Sequence, residues 1–424
     1  MRDLSPILDE VIDYRYKGFP TDSGTVTIGN VGEQGWNLLS GDLLPPVMAL
    51  KESAVAHNIA LMAGYCRENG LSLAPHAKTP MAPQIVDAQL DAGAWAVTVA
   101  TVQQAAVMRA FGVTRLLIAN EVVDRSTIRW VAGEMERCPE VEIISLVDSL
   151  AGVCILSEEL TARHGGRPLP VLVELGTPGG RAGCRSEDEA LALARAVHQS
   201  PHLALAGMEL YEGVARGTTI EERLAAVDGM LCTLRTVTDR ARHEGLFDDA
   251  GEIIVSAGGS LYFDRVAALL GGDWDPRIRV VVRSGSYFAH DVDSYQEFSP
   301  LADRGGASDQ LQPAMELWST VLSVPEPGRA IAGFGKRDSS HDLSLPFPFA
   351  VYREGEIMPL SGEVTVEALN DQHAFLRVDP SVQLCVGDLL GSGISHPCTA
   401  FDKWRLLPLV DDDYNVVGAI KTYF

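Results

Sequence analysis

The sequence predicts an α/β chain, a (β/α)8 TIM-like barrel joined to a second, all-β C-terminal domain. Short apolar runs alternate with longer amphipathic ones from about residue 45 to about residue 300, the signature of parallel βα units. Eight or nine such units over about 240 residues match what a closed barrel needs. Beyond them the chain turns into short β-forming pieces broken by Gly and Pro, as an all-β domain requires. No GxGxxG follows the first apolar run, which makes a doubly wound open sheet the runner-up.

Residues 1–44 carry little periodicity and read as an irregular N-terminal segment packed on the β domain. Residues 45–300 form the barrel and 301–424 the β-rich domain. Strands are expected at Val47–Leu50, Leu71–Pro75, Ala94–Val99, Arg115–Ala119, Glu142–Val147, Val171–Leu175, Leu205–Leu210, Ile253–Ser256 and Val280–Arg283. Between them lie helical patterns such as Ser53–Asn69, Pro80–Ala92, Thr101–Phe111, Glu187–Gln199 and Thr219–His243. Ser186, with Glu189 three residues on, is an expected N-cap. The later β pieces are Leu317–Pro325, Arg329–Gly333, Phe349–Val351, Gly362–Leu369, Ala374–Val378, Asp388–Gly391 and Val417–Thr422.

Composition narrows the function. A net charge of −23 argues against nucleic acid and anionic membranes as partners, while leaving room for a locally basic site. The seven cysteines include no CxxC pair, so free thiols in a reducing, cytoplasmic setting are expected. The N-terminus lacks the pattern of a signal peptide. No uncharged apolar run approaches the roughly 18 residues of a membrane span.

The unusual residues fall at strand ends, which in a barrel share one face. Lys78, in Pro75-His76-Ala77-Lys78-Thr79-Pro80, follows an apolar strand. Partial burial there would lower its pKa and suit a Schiff base, and a solvated lysine is the plain alternative. His76 lies two residues earlier on the same strand face, a cofactor contact or a structural residue. Arg181 stands in the glycine-rich run Gly176–Gly183, free to fold over an anionic ligand or to remain a surface arginine. Tyr211 ends another strand. Gly258-Gly259-Ser260 and Gly285-Ser286-Tyr287 follow the last two strands. Turns at that place offer backbone N–H groups to a phosphate, and either alone is also an ordinary βα turn. His396 and Cys398, two apart, share one face of an extended segment. They read as a zinc pair or as a buried thiol beside a capping histidine. His290-Asp291-Val292-Asp293 reads as a solvated turn or a support to ligands. Asp402 and Lys403 are further candidates to orient ligands.

With these residues in place, the chain resembles the D-serine dehydratase and D-threonine aldolase family of pyridoxal-phosphate enzymes, which share the alanine-racemase-type (fold type III) barrel. Pro75–Thr79, Gly176–Gly183, Gly207–Gly213, Gly258-Gly259, Gly285–Tyr287, Asp371–His373 and Ser395–Thr399 carry the resemblance over residues 45–424. It implies pyridoxal 5′-phosphate on Lys78, Arg181 at the cofactor ring, Tyr211 beside the ring or substrate, and the phosphate on Gly258, Gly259, Ser286 and Tyr287. It implies a divalent metal, zinc by the softness of a thiolate, on His396 and Cys398. The implied substrate is a D-amino acid and the implied assembly a homodimer. Cys398 in place of the Asp common in aldolases tilts the expected activity toward dehydration of D-serine or a relative. A D-threonine aldolase and a non-catalytic cofactor-binding protein are the alternatives. Two departures stand out: alanine at 374 where glycine is expected, and a longer loop around Lys336–His341.

Overall fold

A computed structural model describes residues 2–22, 24–162, 166–248, 251–272, 274–302, 304 and 309–424. They form two compact units: Met62–Lys78 with Gln89–Gly285, and Met1–Leu61 with Thr79–Ala88 and Ser286–Phe424. The chain thus passes from one unit to the other between Lys78 and Thr79, and again between Gly285 and Ser286.

We number the strands in chain order. Strand β1 is Val47–Lys51. The first unit holds eight parallel strands, β2 (Ser72–Leu73), β3 (Val97–Val99), β4 (Arg115–Glu121), β5 (Glu142–Val147), β6 (Leu169–Leu175), β7 (Leu203–Leu210), β8 (Ile253–Ser256) and β9 (Ile278–Val282). Their hydrogen-bonded order is β2-β9-β8-β7-β6-β5-β4-β3. The two ends of this order meet. Trp95 N–H donates to the Leu73 carbonyl (2.7 Å), and His76 bridges Thr98 in parallel. The sheet therefore curls on itself and leaves no long exposed edge. Its interior packs Ala74, Ala96, Leu117, Ile144, Leu146, Leu172, Ile254 and Val281, layered apolar side chains from several strands, as a filled barrel requires.

The helices between the strands start at side-chain caps. Ser186 accepts from the Glu189 N–H (3.2 Å), and the Arg185 N–H donates to the Glu189 carboxylate (2.7 Å), so two orphan donors at that helix start are satisfied. Helix Glu187–Gln199 begins there. Thr101, Ser149 and Thr219 cap their helices in the same way.

The second unit is built on a mixed sheet. Its strands are β1, β10 (Met315–Glu326), β11 (Arg329–Ala332), β12 (Phe347–Arg353), β13 (Glu356–Pro359), β14 (Val364–Leu369), β15 (Ala374–Val378), β16 (Leu389–Gly393), β17 (Leu406–Val410) and β18 (Val416–Lys421). The path runs β13-β12-β16-β10-β1-β17-β18, with β11, β14 and β15 branching from β10. One expectation is corrected. The first apolar run, Val47–Leu50, is not a barrel strand; it pairs antiparallel with Met315–Trp318 and parallel with Leu409-Val410. A four-residue run buried on both faces reads the same in either sheet, so periodicity alone does not assign it.

Candidate active site

At the barrel mouth Lys78 lies in the turn that follows the His76–Thr98 bridge. Its side chain is exposed between buried Ala77 and Thr79, not partly desolvated as expected from a strand lip. The turn follows two residues past the last strand pairing.

His76 is half-buried here. Its Nδ1 is inaccessible to solvent and has no hydrogen-bond partner. Burial holds the imidazole well below its ordinary pKa, and the charges of Lys78, Arg283 and Arg181 push the same way. A neutral imidazole ringed by three cations forms a locally basic spot in an acidic chain. Behind it, Gly285 has no room for a side chain: a Cβ there would stand 2.6 Å from the His76 carbonyl oxygen.

Arg181 and Tyr211 stack, with the guanidinium carbon 5.2 Å from the ring centroid. The loop carrying Arg181 is tightly folded. A Cβ on Gly176 would meet the Ala182 carbonyl oxygen at 2.0 Å, and Gly183 sits at φ +93°. Gly213 leaves the space that the Tyr211 ring fills. Beside this loop, burial pushes the Cys184 thiol up to about 12, so it is a packing residue.

Beneath Arg181 lies a set of charged residues that the strand patterns gave no reason to select. Glu174 and Glu209 are register partners on neighbouring strands β6 and β7, so both carboxylates emerge on one face. Both are nearly inaccessible. Arg283, also buried, approaches Glu209 at 2.5 Å and donates to Ser256 Oγ (2.6 Å) and the Leu210 carbonyl (3.0 Å). Arg181 stands farther from Glu174, at 3.9 Å. Glu174 is pushed up to about 10 by burial, by a hydrogen bond with Glu121 and by the charge of Glu209. Burial thus favours the neutral carboxylic acid at Glu174.

The two glycine turns after β8 and β9 are tied together: Arg283 N–H donates to the Gly258 carbonyl (2.8 Å) and Ser284 Oγ to the Gly259 carbonyl (2.6 Å). Gly258 sits at φ +95°. The expected use of its N–H group needs amendment. The N–H groups of Gly258 and Gly259 donate to the buried carboxylate of Glu212, at 2.9 and 2.7 Å. That carboxylate occupies the pair as an anion would. Ser260 is half-buried in the same turn, and Ser286 and Tyr287 are buried just past Gly285. Basic Lys78, Arg181 and Arg283, the orphan His76 nitrogen and glycine turns shaped around an anion fit an anionic aromatic cofactor such as pyridoxal phosphate.

In the second unit Cys398 and Asp342 beside His396 push its imidazole up to about 9 against the opposing effect of burial. His396 Nδ1 contacts Asp342 Oδ2 at 2.6 Å. Thr79 Oγ1 lies 3.2 Å from Cys398 Sγ. Among the described residues no cluster of three or more His, Cys, Asp or Glu is gathered to hold a metal. The donor set is one imidazole and one thiol, a soft pair that suits zinc and leaves its other positions to water or substrate. His290 and Asp291 are buried rather than solvated. Asp291 accepts from the N–H groups of Asp293 (3.0 Å) and Tyr295 (2.8 Å) and so caps the short helix Ser294–Phe298. Lys403 holds the Thr399 carbonyl and Asp402, and no contact ties Asp402 to the pair.

Residues 50–260 match the alanine racemase N-terminal domain family and residues 314–410 a serine dehydratase domain family. The chain belongs with the fold type III pyridoxal-phosphate enzymes. It is 26% identical to the D-threonine aldolase of Arthrobacter sp. over 372 residues, 87% of this chain and 89% of that one. The D-threo-3-hydroxyaspartate dehydratase of Delftia sp. (strain HT23) is 27% identical over 184 residues, 43% of this chain and 47% of that one. The crystal structure of D-threonine aldolase from Filomicrobium marinum superposes with a TM-score of 0.74 at 26% identity, covering 90% of this chain and 95% of that one. The barrel and β domain expected from the sequence are this fold.

Proposed function

We propose that this pyridoxal-phosphate lyase is a zinc-dependent dehydratase of D-serine or a related β-hydroxy-D-amino acid, yielding a 2-oxo acid and ammonia. The observation that carries the reading is the His396–Cys398 pair, a donor set with a thiol where a harder metal would favour a carboxylate. When bound, the cofactor supplies an electron sink for charge developing at Cα, and the metal supplies Lewis acidity toward the β-hydroxyl.

Lys78 would hold the cofactor and serve as the base for the α-proton. Arg181, steadied against Tyr211, donates to an anionic ring oxygen. His76, neutral and with a free acceptor or donor at Nδ1, contacts the cofactor without adding charge. Ser260, Gly285, Ser286 and Tyr287 hold the phosphate, with Gly258 and Gly259 shaping the turn. For D-serine the sum is pyruvate and ammonia, with the hydroxyl leaving as water and water re-entering on hydrolysis. The reading includes a cytoplasmic homodimer, tested by light scattering. Among the described residues no helix is long and apolar enough to cross a membrane.

A second reading has a specific support: the aldolase relative aligns with 87% of the chain. In that case the same residues cleave Cα–Cβ and release glycine with an aldehyde. Product analysis of cofactor- and zinc-loaded protein with D-serine and D-threonine decides. Pyruvate or 2-oxobutyrate with ammonia supports dehydration; glycine with an aldehyde overturns it in favour of the aldolase.

A further inference from the structure

The longer loop at Lys336–His341 ends on Asp342, and both oxygens of that carboxylate are committed. Oδ2 accepts from His396 Nδ1 at 2.6 Å, and Oδ1 accepts from the Thr399 hydroxyl at 2.6 Å. The loop behind it is fixed. Asp338, Ser339 and Ser340 are buried, the Trp404 indole donates to the Asp338 carbonyl (2.8 Å), and Lys17 pairs with the Asp338 carboxylate (2.9 Å). The Asp338 carboxylate also accepts from the Gly335 N–H and from Gln372. This makes the segment a braced arm rather than a loose insertion.

We propose that Asp342 is a positioning residue for the metal pair. It holds the Nδ1–H of His396, fixes that tautomer and leaves Nε2 as the ring's ligating nitrogen. The inference rests on the reading of His396 and Cys398 as metal ligands. A carboxylate behind a ligating imidazole orients the ring and raises the basicity of the other nitrogen. Thr399 keeps the carboxylate from rotating away. Among the described residues Asp342 is not gathered with His396 and Cys398 into a three-residue ligand cluster, which leaves it a supporting contact. On the other flank, buried Thr79 lies against Cys398 Sγ, so each half of the pair has its own hydrogen-bonding support.

The test titrates metal-stripped, cofactor-loaded protein with Co2+ and follows the absorbance of the cobalt–thiolate complex, with Zn2+ in competition. Wild type binds one ion per chain, and His396→Ala and Cys398→Ala abolish binding. Asp342→Ala weakens affinity by roughly 10- to 100-fold. Asp342→Asn, which keeps an accepting oxygen and loses the charge, falls between. Cofactor absorbance stays that of wild type in both. Wild-type affinity in Asp342→Ala overturns the inference and leaves the metal reading standing. No ion bound by wild type, or undiminished binding in both ligand variants, overturns the metal reading and this inference together. If the Asp342 variants do not fold, Thr399→Val, which releases the carboxylate, decides: a several-fold loss of affinity supports the role and no change overturns it.

Discussion

Glu174→Gln tests the most consequential electrostatic feature of the barrel mouth. Burial, the neighbouring Glu121 carboxyl and the charge of Glu209 hold the Glu174 carboxyl well above the ordinary glutamate range, and it is only 4% exposed. Between about pH 6 and about pH 8 the folded chain therefore carries one proton at this site that the unfolded chain has lost. Stability changes with pH in proportion to protons bound unfolded minus folded, which here is minus one. Stability contributed by the site thus falls as pH rises, by about 1.4 kcal/mol per pH unit, or about 2.7 kcal/mol across the window. This slope depends only on the folded pKa staying above the window. A glutamine keeps the shape and can donate to Glu121 as the protonated acid does, but binds no proton. The assay is urea unfolding of cofactor-free wild type and variant at both ends of the window, followed by tryptophan fluorescence. Groups remote from Glu174 cancel in the double difference. The variant gains on wild type by about 2.7 kcal/mol from the low to the high end. Parallel pH dependences would show that Glu174 is ionised in the fold and sink the argument.

Other perturbations follow from single contacts. Lys78→Ala removes the visible absorbance of bound cofactor after free cofactor is dialysed away; a retained band would remove Lys78 from its role. Glu212→Ala strips the Gly258 and Gly259 N–H groups of their acceptor and costs roughly 1–3 kcal/mol per unpaired group, read as a lowered urea midpoint. Gly285→Ala drives a methyl onto the His76 carbonyl and costs roughly 1–3 kcal/mol, checked in the same way. Chelation of divalent metal suppresses turnover while cofactor absorbance persists; full activity in protein shown to be metal-free would remove the metal role.

Much of the barrel was legible because its signals are local. Glu142–Val147, Ile253–Ser256 and Glu187–Gln199 form within the limits expected of them: apolar runs bounded by turn residues, and a helix announced by its cap. Other features were out of reach for a definite reason. Val47–Leu50 is apolar throughout and carries no mark of which sheet it joins. Glu174 and Glu209 stand at the polar positions of their strands, yet the curled sheet has no solvated face for them at that depth. Glu212 reaches a turn 46 residues on, Asp342 an imidazole 54 residues on and Thr79 a thiol 319 residues on; nothing in the local sequence announces such meetings. The exposure of Lys78 depends on where the turn after the strand leads, which its own neighbours in sequence do not announce.

The Glu212 carboxylate resting on two glycine amides has a bearing on handling the protein. A turn whose donors are satisfied from within its own chain has no need of a bound phosphate to keep its shape. Protein stripped of cofactor should then retain this rim intact and accept fresh pyridoxal phosphate on simple mixing, without a refolding lag.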